Sequence, residues 1–180
     1  MDHGFDTMQL PDAPDAAAPD GSDVRVLLRL GRGSMAHFEL GAGRVSQAVA
    51  HRSVDEIWYV LSGQGQMWRR QAERQETVPL RPGTCVSIPA GTHFQFRAAG
   101  DGPLAVVGVT MPPWPGDDEA YDVADAWPVG VPDDVSPGNA GLAGGRFTRR
   151  RRETLPSYGF IPGTAAPAGH PARTRADHGE

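Results

Sequence analysis

Short apolar runs separated by Gly, Pro and Asp dominate the chain between residues 24 and 111. Each run has the length of a strand, and turn-forming residues lie between most of them. No convincing helical periodicity occurs in this span. Many short strands with Gly and Pro turns predict an antiparallel barrel or a double-sheet sandwich. The strand-sized runs are VRVLLRL, MAHFEL, RVSQAVAH, EIWYVLSG, GQMWRR, ETVPL, TCVSIP, HFQFRA and LAVVGVTM.

The two ends of the chain differ from this central part in composition. Residues 1–23 hold six aspartates and no arginine, and we expect a disordered acidic segment because so little apolar surface is available to bury. Residues 24–115 are predicted to form the barrel domain. Residues 116–180 read as an acidic and then Arg-rich, largely irregular tail. Its cluster Arg149–Arg152 is either solvated, folded back on the acidic segment or in contact with a partner.

Composition excludes several classes of function. The net charge of −5 argues against a nucleic-acid-binding protein. All 17 basic residues are arginine, which excludes a Schiff-base lysine and a Walker-type phosphate site. Cys85 is the only cysteine, so any metal must be held by nitrogen and oxygen ligands. Because there is no signal-peptide core and no apolar run of about 18 residues, we expect a cytoplasmic protein without a membrane span.

A first motif resembles that of the cupin superfamily. Gly43 is followed after five residues by Val49-Ala50-His51, then after four more by Glu56 and after six more by Gly63. This spacing is similar to the first cupin motif, G(X)5HXH(X)3–4E(X)6G. The run differs from that motif at Val49, where the family has a histidine.

A second motif follows in the order that the family shows. Five residues separate Gly83 from the run Pro89-Ala90-Gly91-Thr92-His93, and this spacing is similar to the second cupin motif, G(X)5PXG(X)2H(X)3N. The resemblance covers residues 24–111, about half of the chain. It implies an all-β protein with a cupin-type double-stranded β-helix, a jelly-roll barrel, and flexible N- and C-terminal extensions.

The resemblance also implies a divalent metal near the centre of the barrel, bound by histidines and the glutamate of the two motifs. From the residues themselves, Val49 and His51 share one strand face, so His51 can point into a barrel. Glu56 opens the next strand across a short turn, within reach of His51. We therefore predict His51, Glu56 and His93 as metal ligands, with Glu56 and His51 as the catalytic residues.

Two departures from the family pattern bear on that metal. Val49 cannot coordinate, and His93 arrives one residue early, so strict alternation would turn Phe94 and Phe96 inward instead. One residue of slippage in the preceding turn would bring His93 inward. The three ligands would then form the facial triad of non-haem Fe²⁺, with Mn²⁺, Ni²⁺ or Zn²⁺ as alternatives. With His93 outward, two ligands are too few, and the barrel is a binding pocket without metal.

Other residues are candidates for contact with a bound molecule. Gln47 and Gln95 are expected to act as hydrogen-bond partners or weak ligands. Trp58 lies on the inward strand face and is expected to wall a pocket, although core packing is the simpler role. Arg97 is a candidate for binding an anionic substrate. Trp114 follows the last strand and either closes one mouth of the barrel or serves as a plain strap.

Fold does not settle function here, because cupin barrels host many activities. The leading hypothesis is a metal-dependent enzyme of the oxygenase, isomerase or lyase type that acts on a small molecule in the barrel. The alternative is a metal-free small-ligand-binding or regulatory cupin. We also expect a homodimer, because the strand VRVLLRL would otherwise leave an exposed apolar edge.

Overall fold

The computed structural model describes residues 4–130, and these residues form eleven β-strands and no helix. The all-β prediction is thereby confirmed for this part of the chain. The same residues contain no helix long and apolar enough to cross a membrane. The strands are β1 (Ala16–Ala17), β2 (Asp23–Leu30), β3 (Gly33–Leu40), β4 (Val49–His51), β5 (Asp55–Ser62), β6 (Gln64–Gln71), β7 (Arg74–Leu80), β8 (Cys85–Ile88), β9 (His93–Ala99), β10 (Leu104–Met111) and β11 (Ala120–Asp122).

The strands form two antiparallel sheets. Sheet A has the order β1-β2-β3-β10-β5-β8, and sheet B has the order β11-β4-β9-β6-β7. Strands far apart in the chain are neighbours, since β3 and β5 both pair with β10, and β4 and β6 both pair with β9. These long-range pairings make the double-stranded β-helix that the two motifs implied.

The hydrophobic core lies between the sheets, because alternate side chains of each strand point inward. On β5, Trp58 is 1% exposed whereas its neighbour Tyr59 is 48% exposed. Phe94 and Phe96 of β9 contact the Trp58 ring at centroid distances of 6.1 and 4.9 Å. Burying each such side chain contributes about 1.5–3 kcal/mol. The other members of the core are Leu40, Val49, Val60, Met67, Leu80, Val86, Ile88, Ala98, Leu104 and Val106.

Structure extends beyond residues 24 and 115, the predicted limits of the barrel domain. On the N-terminal side, β1 pairs with the start of β2, and Ser22 is fully buried. On the C-terminal side, β11 pairs with all three residues of β4. The division of the chain into three segments otherwise stays a prediction. Arg149–Arg152 and the rest of the Arg-rich tail lie outside the described residues.

Candidate functional site

His51 and Glu56 meet inside the barrel, as the first motif predicted. His51 ends β4 and Glu56 lies at the start of β5, with a short turn between them. Their side chains are 5% and 3% exposed, and His51 Nδ1 lies 3.7 Å from Glu56 Oε2. That separation is too long for a hydrogen bond. The pair is therefore buried and close without being bonded to each other.

Glu119 holds the turn that sets this spacing. Its carboxylate accepts hydrogen bonds from the backbone N–H groups of Ser53 and Val54 and from Ser53 Oγ. Burial alone would raise the pKa of Glu119, but these three bonds hold it below its ordinary value. Sequence reasoning missed this residue, because it lies in an acidic run that is typical of a solvated segment.

Aromatic rings surround His51. Phe94 and Trp114 approach it edge-on at centroid distances of 5.2 and 5.1 Å. Trp114 is fixed by its backbone, whose N–H donates to Ser34 Oγ and whose carbonyl accepts from Arg29. Trp114 therefore lies beside His51 on the chain that follows the last barrel strand, and whether it closes the barrel or serves as a strap stays a prediction.

Polar groups in this interior lack hydrogen-bond partners. Within residues 4–130, neither His51 Nδ1 nor Trp58 Nε1 has one, although both atoms are buried. Gly108 of β10 provides the room beside them, because a Cβ there would lie 2.5 Å from Glu56 Oε1 and 3.2 Å from Trp58 Nε1. His51, Glu56 and Trp58 thus form a polar cluster in an apolar barrel, which we call the interior cluster.

Burial shifts the two ionisable members of the interior cluster in opposite directions. It raises the pKa of Glu56 to about 8, although the Trp58 indole N–H, which lies near the carboxyl group without the geometry of a hydrogen bond, partly opposes this and Asp20 adds to it. Burial lowers the pKa of His51 to about 4, against an opposing effect of Glu119. At neutral pH Glu56 is therefore protonated and His51 is neutral. An uncharged pair avoids the large cost of burying an unpaired charge.

His93 does not join the interior cluster, so the prediction that it turns inward is wrong. His93 lies opposite Arg70 in the pairing of β9 with β6, and its Nδ1 is 3.0 Å from the Arg70 guanidinium. Phe94 and Phe96 take the inward positions and are 1% exposed. Strand alternation therefore prevails, and the turn before β9 absorbs no slip.

The donors that remain do not fit the predicted metal. Within the described residues, no group of three or more His, Cys, Asp or Glu side chains could hold a metal ion. Val49 packs in the core and pairs with Phe94, so the first histidine position of the motif is apolar. One imidazole and one carboxyl group supply two ligands, whereas a facial triad needs three.

Gln95 and Arg97 also lie on the outer face of sheet B, and the roles predicted for them toward a bound molecule stay predictions. Gln95 is fully buried and makes hydrogen bonds to the backbone of Ser46, Ala126 and Trp127, so it anchors the chain after β11. Arg97 donates to Gln66 and stacks its guanidinium 4.5 Å from the centroid of the Trp127 ring.

Gln47 is half-buried, and its backbone N–H donates to the Asp20 carbonyl. Its predicted ligand-binding role stays a prediction. Trp58, by contrast, is placed in the barrel beside Glu56, where the sequence indicated it.

Comparison with known proteins agrees with the two motifs. Residues 36–110 match the family model for the cupin domain. This part of the chain is therefore similar to a cupin domain, and the resemblance read from its sequence is confirmed. No curated protein matches the chain closely enough to name as a relative.

Solved structures share the fold at low sequence identity. An uncharacterised double-stranded β-helix protein from Klebsiella pneumoniae is 14% identical with a TM-score of 0.53, over 68% of this chain and 100% of its own. A variant of the Streptomyces protein PAC13, solved with uridine, is 16% identical with a TM-score of 0.52, over 66% of this chain and 92% of its own. The coconut allergen cocosin is 18% identical with a TM-score of 0.51, over 58% of this chain and 30% of its own. These likenesses establish the fold alone.

The opposite pKa shifts of the pair predict how stability varies with pH. Glu56 releases its proton at about pH 8 in the folded protein, against an ordinary pKa of 4.5. Its contribution to the free energy of unfolding is therefore full below pH 4.5 and is lost as the pH rises through 8. His51 titrates at about pH 4, against an ordinary 6.5, so its contribution is full above pH 6.5 and is lost as the pH falls through 4.

Between pH 6.5 and 8, only Glu56 of the two changes its contribution. We expect the wild-type protein to lose about 2 kcal/mol more of its free energy of unfolding over this interval than Glu56→Gln, which keeps the shape of the protonated acid but does not ionise. Urea denaturation at several pH values measures the difference. Parallel pH profiles for the two proteins would contradict a protonated Glu56.

Proposed function

We propose that the barrel binds a small, polar and uncharged molecule at the interior cluster without a metal ion. The observation that supports this most directly is the buried, unpaired state of His51 Nδ1 and Trp58 Nε1 beside Glu56. An unsatisfied buried polar atom costs about 1–3 kcal/mol. A ligand that bonds to these atoms would recover that free energy.

The protonation states define the kind of ligand. A protonated Glu56 and the Trp58 indole each offer a donor, and the neutral His51 ring offers an acceptor at whichever nitrogen lacks the proton. A hydroxyl or amide group, which both donates and accepts, would match this set. A charged ligand would lose its hydration without gaining an ion pair inside the barrel. The edges of Phe94 and Trp114 favour a flat apolar body beside the polar group.

A second candidate function is acid–base catalysis that needs no metal. Two neighbouring titratable groups with pKa values shifted apart are a common arrangement for a general acid and a general base. Here the protonated Glu56 would be the acid and the neutral His51 the base, which suits an isomerase or lyase. The oxygenase type among the sequence hypotheses lacks its third metal ligand in the described residues.

The first test is metal binding. We expect protein purified without a histidine tag to contain less than about 0.1 equivalent of Fe, Mn, Ni or Zn by elemental analysis, because two ligands hold these ions weakly. Added metal should leave the melting temperature unchanged. Val49→His is the matched variant, since it restores the imidazole that the first motif has at this position. A stoichiometric metal in the wild-type protein would contradict the proposal.

The second test is binding of uncharged ligands. We expect a ligand-observed NMR screen of hydroxyl- and amide-bearing fragments, with uridine included because the Streptomyces protein was solved with it, to yield binders. Trp58→Phe keeps the ring but removes the N–H donor, so it should weaken these binders about tenfold. Trp68→Phe, a tryptophan on the outer face of β6, is the control and should have no effect. Equal affinities for both variants would exclude the interior cluster.

We also propose that two copies of the chain associate through the outer face of sheet A. On β2, only Asp23 and Val24 pair with β1, and Val26, Leu28 and Leu30 are 38–62% exposed, in keeping with the exposed edge expected from the sequence. The outer faces of β3 and β5 add apolar side chains on strands that flank β10. Their members are Met35, Ile57, Tyr59 and Leu61, which are 38–48% exposed. A cytoplasmic location stays a prediction.

The homodimer is tested by sedimentation velocity over a wide concentration range. We expect a dimer for the wild-type protein and a monomer for Tyr59→Glu, because a charge in the middle of an apolar interface is costly. Gln66→Glu, on the outer face of sheet B, should remain dimeric. A wild-type monomer at every concentration would contradict the proposal.

A further inference from the structure

A cavity of about 270 Å³ lies apart from the interior cluster, beside the hairpin of β6 and β7. Its walls come from that hairpin and from the end of β8 with the turn that follows. Arg69 connects the two sides, because its guanidinium donates to the Ser87 carbonyl. The polar side chains in the wall that matter here are Arg69, Arg70, Arg74, Glu76 and Thr92.

The charge around this cavity is positive. Three guanidinium groups face one carboxylate, so the net charge is +2. Glu76 is shared between Arg69 at 2.9 Å and Arg74 at 3.9 Å. Arg70 bonds to His93, which is neutral because burial and the Arg70 charge lower its pKa. The positive charge in the wall of this cavity is therefore only partly compensated by the side chains that line it.

Two residues of the cavity wall carry a buried donor atom without a hydrogen-bond partner. Among the described residues, Thr92 Oγ1 and Arg69 Nε have no hydrogen-bond partner, and both atoms are buried. Thr92 is only 2% exposed and lines the cavity. A buried hydroxyl and a buried guanidinium N–H left unpaired each cost free energy, and a charged acceptor would satisfy both.

We infer that this cavity binds a tetrahedral oxyanion, either free phosphate or the phosphoryl group of a small metabolite. The guanidinium groups supply forked donors, and the Thr92 hydroxyl supplies a donor from another direction, so several oxygens of one anion can be bonded at once. The site does not depend on the interior cluster, which is proposed to take an uncharged molecule. A protein that binds no phosphate would therefore leave the proposed function untouched, and a protein that binds no uncharged ligand would leave this inference untouched.

The test is a titration with inorganic phosphate at pH 7, with sodium chloride adjusted to keep the ionic strength constant. We expect a saturable rise in melting temperature and a heat of binding in calorimetry. Arg70→Gln should weaken phosphate binding about tenfold, because it removes the guanidinium that forms no ion pair with a carboxylate among residues 4–130. Arg81→Gln, an arginine in the wall of a different cavity, is the matched control and should bind phosphate like the wild-type protein.

Thr92→Val separates a binding role from a structural one. The substitution keeps the shape of the side chain and removes a hydroxyl that has no protein partner, so the melting temperature without phosphate should be unchanged or higher. The affinity for phosphate should nevertheless fall about tenfold. Unchanged affinity in this variant would overturn the inference, because an ordered water would then be the partner of the hydroxyl.

Other anions identify the chemistry. Sulfate should bind and acetate should not, since only the former presents tetrahedral oxygens. Glycerol 3-phosphate that binds as well as phosphate would point to a phosphoryl metabolite, whereas phosphate alone would point to the free ion, and both results support the site. Phosphate that binds no better than chloride, or acetate that binds equally well, would overturn it.

Discussion

The rest of the site depends on one constraint, the burial of the Glu56 carboxyl group in an apolar barrel where no cationic side chain of the described residues compensates it. An ionised carboxylate in that position would be very costly, and the protein avoids this cost by keeping the proton on Glu56 to about pH 8. The neighbours fit a neutral acid. His51 is uncharged, Trp58 presents an N–H group, and Gly108 leaves space where any Cβ would meet the carboxyl oxygen.

The residues that hold this arrangement in place lie partly outside the barrel strands. Glu119, just before β11, bonds to the turn between His51 and Glu56 and so fixes where β5 begins. Trp114 covers His51 from the chain after β10, and its backbone is tied to Ser34 and Arg29. The flanking segments, which look like irregular extensions by composition, therefore complete the geometry of the interior cluster.

Strand periodicity predicts which residues of one strand share a face, but it does not predict the register after a turn or contacts with distant segments. The run EIWYVL places Glu56 and Trp58 on one face, and the two glycine-bounded motifs identify the fold, so both predictions hold. A shift of one residue in the turn before β9 would have turned His93 inward. Phe94 and Phe96 occupy the inward positions instead and fill the core, so His93 points outward. The role of Glu119 could not be predicted from the sequence, because a carboxylate that accepts hydrogen bonds from a distant turn has the same local sequence as a solvated one.

A metal ion and a proton are two solutions to the same electrostatic problem. A divalent cation compensates a buried carboxylate, but it needs enough further ligands to replace its water, and the described residues bring no three His, Cys, Asp or Glu side chains together to hold one. A proton needs no further ligands. It also gives the carboxyl group an O–H donor, so a molecule that bonds to it there must offer a hydrogen-bond acceptor. Charge is instead concentrated at the cavity lined by Arg69, Arg70 and Arg74, where solvent keeps the cost of three guanidinium groups low. The sites proposed for an uncharged ligand and for an oxyanion thus lie in separate places.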